Sequence, residues 1–221
     1  MMRSLAFSLL FCLTACGSSL KYAIDDNTIA ATTSQERELI NSARNDEQRA
    51  EDMQREAHRA ETDALNEESM AGNEAKSAKL QRQSAKTGRT AAESSGDYNL
   101  KNKAKAQYDV AEKAAEEADA KHVWTQEKRD YTKKVREAAE LGVLAAKAKV
   151  ELEKAKLCSA KSIRPSEKFN VLEYEQQSLE AQQKYNDKKR QADEKKNKVD
   201  ERERSFRSKK QATESAKSAA Q

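Results

Sequence analysis

Residues 43–92 read ARNDEQRAEDMQREAHRAETDALNEESMAGNEAKSAKLQRQSAKTGRTAA. Within them Ala43, Ala50, Ala57, Ala64, Ala71, Ala78, Ala85 and Ala92 lie seven residues apart without a miss. A seven-residue apolar repeat keeps one stripe of a helix facing a partner and implies a left-handed supercoil. Alanine puts no large knob in that stripe. Either the helices approach closely, or bulky partner side chains fill the space. Leu39, Met53, Ala60 and Leu80 add only scattered apolar company. The register makes Ala64 a contact position and leaves Glu68 in solvent.

Working outward, Thr33-Ser34-Gln35-Glu36 reads as a capping box, in which the threonine hydroxyl accepts from the N3 amide and the glutamate reaches back. A first helix over about 33–94 follows. Ser94-Ser95-Gly96-Asp97 is turn-like and contains glycine. A second helix over about 97–161 carries two successive rows, Ala104, Ala111, Ala118 and then Trp124, Tyr131, Ala138, Ala145, Leu152. Its segment from Leu141 to Leu157 is the most apolar after the N-terminal run and the best candidate for a buried contact. Ile163-Arg164-Pro165-Ser166 breaks the pattern, because proline cannot continue a helix but suits the start of one.

A third helix over about 166–218 has Val171, Ser178, Tyr185, Ala192, Val199 and Phe206 in one row. Lys188, Lys195, Arg202 and Lys209 hold the positions three residues after members of that row, which makes half a coiled-coil seam. Beyond Tyr185 this helix is expected to pack weakly or to stand in solvent on its i,i+4 charge pairs. The fold class is therefore all-α, with long antiparallel helices. Two topologies stay open: an up-down-up three-helix rod, and a helical hairpin with a loose third helix.

The composition agrees. Of 221 residues 36% are charged, with five Gly and one Pro, too few breakers for a β-protein or a loop-rich enzyme. Charge is unevenly spread. From Glu36 to Glu74 there are twelve acids against five arginines, a balance of −7. From Lys184 to Lys210 there are twelve bases against six acids, a balance of +6. These runs read as solvated faces by the usual rule for charged helices; alternatively, the acidic first helix lies beside the basic third, or the third touches an anionic partner.

Residues that carry chemistry are scarce. No phosphate loop or dinucleotide fingerprint occurs. His58 and His122 lie on different helices without cysteine partners, so no metal or other cofactor is expected. Thin rods offer little concavity for catalysis, and no enzyme activity is expected. The basic region lacks interleaved aromatics, which argues against nucleic acid. Cys158 is the one thiol left outside the N-terminal region, so no internal disulfide is expected. It reads as a small apolar residue on a helix face, or as a site for an intermolecular disulfide.

The N-terminal stretch has Arg3, an apolar run from Leu5 to Leu13, and then Leu13-Thr14-Ala15-Cys16 followed by Gly17-Ser18-Ser19. A positive residue, a short apolar run and small residues are the parts of a secretory signal. The run is far short of the roughly 20 residues that span a bilayer. Residues 13–16 resemble the lipobox of bacterial lipoproteins. That resemblance implies removal of residues 1–15 as a signal peptide and lipidation of Cys16, with a diacylglyceryl group on its sulfur and a palmitate-type acyl chain on its amine. It implies residues 16–32 as a lipidated flexible tether and 33–221 as the helical coiled-coil domain. Gly17, where an aspartate would retain an enteric lipoprotein in the inner membrane, points to the outer membrane.

With its Ala/Lys/Glu-rich body the chain resembles the small coiled-coil lipoproteins of the Gram-negative cell envelope, in style the murein lipoprotein family. The chain ends Ala219-Ala220-Gln221, so the resemblance implies no peptidoglycan link through a terminal lysine. The segment EAAELGVLAAKAKVELEKAKL, residues 137–157, is similar to alanine-rich helical lipoproteins, which implies no activity. The expected role is a lipid-anchored periplasmic or outer-membrane spacer or adaptor, meeting a protein partner or itself through its helices. The alternative is a binding module for an anionic envelope polymer, peptidoglycan or lipopolysaccharide, through the basic third helix.

Overall fold

The computed structural model describes residues 20–163 and 169–220. It is all-helical, with α1 (Glu38–Ser95), α2 (Tyr98–Ala160) and α3 (Val171–Ala219) following a short 3-10 turn at Asp26–Ile29. At about 1.5 Å per residue the helices are rods of roughly 75–95 Å. α1 and α3 each run antiparallel along α2 and make no extended contact with each other. The molecule is thus an up-down-up rod with α2 in the middle.

The ends of the helices follow from local chemistry. The capping box closes as expected: Glu36 Oε2 accepts from the Thr33 amide at 2.8 Å, and Thr33 Oγ1 accepts from the Glu36 amide at 3.3 Å. It shapes a turn over 34–37, and regular α-helix begins only at Glu38. α1 ends at Gly96, whose φ of 78° is the left-handed cap that a side chain resists. Asp97 then caps α2 by accepting from the amides of Asn99 and Leu100. α3 starts at Val171, later than the expected 166, because Asn170 caps it by accepting from the Leu172 amide. Pro165, with the rest of 164–168, lies outside the described residues.

The alanine row faces α2. Ala43, Ala50, Ala57, Ala64, Ala71 and Ala92 are buried, while Ala78 and Ala85 are half-buried. The ion pairs Glu61–Arg136 and Glu68–Arg129 set the register between α1 and α2. At the heights of Ala64 and Ala71 that register brings the buried Thr132 and Thr125 of α2. Small side chains meet small ones, so the axes can approach closely. The threonine hydroxyls donate back to the Arg129 and His122 carbonyls of their own helix, which satisfies them without a partner. Glu68 is not solvated: its carboxylate is mostly covered and accepts from Arg129 Nη1 at 2.8 Å.

α3 is a full member of the rod, which corrects the reading of a weakly packed or loose third helix. Ala181, Ala192, Val199 and Thr213 are buried, and Phe206 stacks on Trp124 with centroids 5.5 Å apart and planes at 6°. Three of the four cations of the half seam meet acids of α2, and Arg202 is exposed. Lys188 pairs with Glu137, Lys195 with Glu127 and Asp130, and Lys209 with Glu116. The acids of α1 likewise meet cations of α2, as in Glu74–Lys121, Glu67–Lys128 and Asp46–Lys149. The acidic and basic helices are therefore not neighbours. α2 stands between them with cations toward one and acids toward the other.

These pairs set the acid response. Glu36 is held at a pKa of about 2 by Lys161 and by Thr33. Lys154 lowers Asp26, Lys149 lowers Asp46, Lys209 with Lys113 lowers Glu116, and Lys134 with Lys188 lowers Glu137. A carboxylate whose pKa falls on folding contributes stability that is complete above its unfolded value, near 4, and is lost as pH drops through the folded value. Melting temperature is therefore expected to stay flat above pH about 5 and to fall between about 4.5 and 2. Circular dichroism melts across that range check it; a melting point that rises on acidification would contradict the pairing.

Candidate interaction surface

The helices position two features other than a plain helical seam. The first is a strap over residues 20–32, where a flexible tether was expected. Leu20, Tyr22 and Ile24 alternate with the exposed Lys21, Ala23 and Asp25, an extended segment with one face on the rod. Gln177 of α3 holds it by accepting from the Tyr22 amide at 2.8 Å and donating to the Tyr22 carbonyl at 3.0 Å. Glu151 of α2 accepts from the Ile24 amide at 2.5 Å, and Lys154 donates to the Ile24 carbonyl at 3.1 Å.

Glu151 and Lys154 are both buried and bond to each other at 2.7 Å, with Asp26 2.8 Å from the same ammonium. Burial pulls Lys154 down, but Asp26 and Glu151 together outweigh it, and its pKa is raised. Around this latch Ile24, Ile29, Ile40, Val150, Cys158 and Tyr174 form the thickest part of the core. The apolar segment that the sequence marked on the second helix is where the strap docks. Residues 20–32 are therefore part of the packed rod. Burial of two isoleucines and a tyrosine, together with the bonds to Gln177, Glu151 and Lys154, offsets the ordering of the segment.

The second feature is a groove of about 610 Å³ between α1 and α3, floored by α2. Val135, Ala139 and Gly142 form its floor, with Met53 and Ala60 on one wall and Tyr185 and Ala192 on the other. Gly142 lets the Tyr185 ring lie against the helix; a Cβ there would come within 3.2 Å of the ring. The strap packs against Glu151 and Lys154, which lie on the opposite face of α2 from Gly142 by helical spacing.

The other sequence-derived candidates come apart. Cys16 lies outside the described residues. Cys158 is fully buried and its thiol is pushed up by that burial, so it is not placed for an intermolecular disulfide. His58 is exposed, while the His122 ring lies against Gly72 and contacts Gln126 at 3.3 Å. Among the described residues no group of three or more His, Cys, Asp or Glu side chains could hold a metal ion. No helix among them is long and apolar enough to cross a membrane. Neither protein-family models, curated proteins nor solved structures give a match to the chain.

Proposed function

We propose that this protein is a lipid-anchored helical spacer or adaptor of the bacterial cell envelope, held at the outer membrane through acylated Cys16. The observation that carries the reading is the motif Leu13-Thr14-Ala15-Cys16 standing four residues before Leu20, where the strap meets the rod. Four residues reach at most about 14 Å, so such an anchor would sit close against the flank of the rod. Leu20 packs beside Leu141, and from there α2 runs back to Tyr98, about 65 Å at 1.5 Å per residue. A rod of that reach places its far end well away from such an anchor. Two acyl chains or more would make the attachment stable. Labelling cells with an alkyne fatty acid is expected to tag the wild type and not Cys16→Ser, and the variant should leave the membrane fraction. Equal labelling of both would overturn the reading.

A second reading has some support. Lys184, Lys198, Arg202 and Lys210 of α3 are exposed and have no ion-pair partner among the described residues, as a site for an anionic polymer requires. Binding to purified peptidoglycan that fades as salt rises would favour it.

A further inference from the structure

We propose that the groove between α1 and α3 is the interface of a parallel homodimer, in which α1 of each copy lies on α3 of the other. The inference does not depend on the lipid anchor. It starts from which charges the fold leaves unused. The acids of α1 that flank the α2 seam are paired, as in Glu61–Arg136, Glu67–Lys128 and Glu68–Arg129. Glu56, on the groove, and Asp63, one heptad further, are exposed with no ion-pair partner among the described residues. The same holds on α3: Lys188 and Lys195 pair with α2, whereas Lys189, on the groove, and Lys196, one heptad further, are exposed without partners. The α1 rim of the groove thus carries spare acids, and the α3 rim carries the spare bases Lys189 and Lys196 with one exposed acid, Asp193, between them.

The heights match. Residues 46–60 of α1 and 182–193 of α3 line the same stretch of groove. A two-fold axis parallel to the rod lays groove on groove, exchanges the two rims and keeps every height. Glu56 then meets the partner's Lys189, Asp63 the partner's Lys196, and Met53 the partner's Tyr185, each to within about one helical turn. Toward the thick end Leu39 and Leu172 stand 68% and 71% exposed, and the same rotation brings them together. Symmetry makes each contact twice. The seam from Leu39 to Asp63 is about 36 Å long on each side. A two-fold axis across the rod would instead lay α1 on α1 and α3 on α3, setting balances of −7 on −7 and +6 on +6. Like charges in register disfavour that alternative. The parallel arrangement puts Leu20 of both copies at the same height along the rod.

Charge reversal tests this with the full chain in detergent micelles, read by sedimentation. The wild type is expected to sediment as a dimer. A chain with Glu56→Lys and Asp63→Lys, and another with Lys189→Glu and Lys196→Glu, should each dimerise at least tenfold more weakly, as several rim pairs turn repulsive. An equimolar mixture should recover the dimer, because in the mixed pair every reversed rim faces its opposite. That recovery also shows that both variants are folded. A wild type that stays monomeric at all concentrations would overturn the proposal and leave the groove to a different protein's helix. So would a dimer indifferent to either reversal, or a mixture that does not recover.

Discussion

Lys154→Ala is expected to cost about 3 kcal/mol and to lower the melting temperature by roughly 6–12 °C. The ammonium is buried and holds three groups: the Glu151 carboxylate, the Asp26 carboxylate and the Ile24 carbonyl. Its removal strands Glu151 in the core as an uncompensated charge, and that desolvation sets the size of the effect rather than the lost attraction. The strap should detach as well, since Ile24 then keeps only its amide bond. Limited proteolysis after Lys21 should become fast in the variant and stay slow in the wild type. Lys154→Met with Glu151→Gln should recover part of the loss, because the stranded charge is gone. A variant with unchanged melting and an intact strap would show that the latch contributes nothing.

The second large effect concerns the alanine row. Ala64→Glu is expected to cost about 3 kcal/mol, since Ala64 is 1% exposed and faces the small Thr132 with no room for a carboxylate. Arg59→Glu, at an exposed position without an ion pair among the described residues, should change stability by less than about 0.5 kcal/mol. Glu68→Lys should fall between, at about 1–2 kcal/mol, because it sets a cation beside the half-buried Arg129. Thermal melts of the three order them, and similar shifts for Ala64→Glu and Arg59→Glu would refute the register.

Much of this fold is written in single-helix periodicity. The eight alanines of α1 announce their stripe because each step repeats the same residue. Gly96 and Asp97 announce the turn because few residues tolerate a left-handed cap or bond two amides at once. What the sequence hid are matters of pairing between elements. Lys188, Lys195 and Lys209 look like defects in a seam until Glu137, Asp130 and Glu116 are seen opposite them on α2. No spacing within α3 carries that information.

The strap was hidden differently. Asp25, Asp26 and Asn27 give the segment a tether's composition, yet Leu20, Tyr22 and Ile24 alternate as a half-buried extended chain does, and that alternation was the available signal. The groove has no signature of its own. It arises because α1 and α3 flank α2 without closing on one another, leaving Val135 and Gly142 only half-buried. Only the unpaired state of Glu56 and Lys189 marks its rims.

The claim on which the account rests most directly is that α3 is packed on α2 along its length rather than free. Amide hydrogen exchange of the isolated full chain measures this. The account predicts that α3 around Ala192 and Val199 exchanges slowly, within about tenfold of α2 around Thr132 and Ala138, with nothing added. It predicts fast exchange only near the thin end, where Tyr98 is 75% exposed and α3 terminates. Uniformly fast exchange from Tyr185 onward, beside slow exchange in α1 and α2, would contradict it and make the molecule a two-helix hairpin with a free arm.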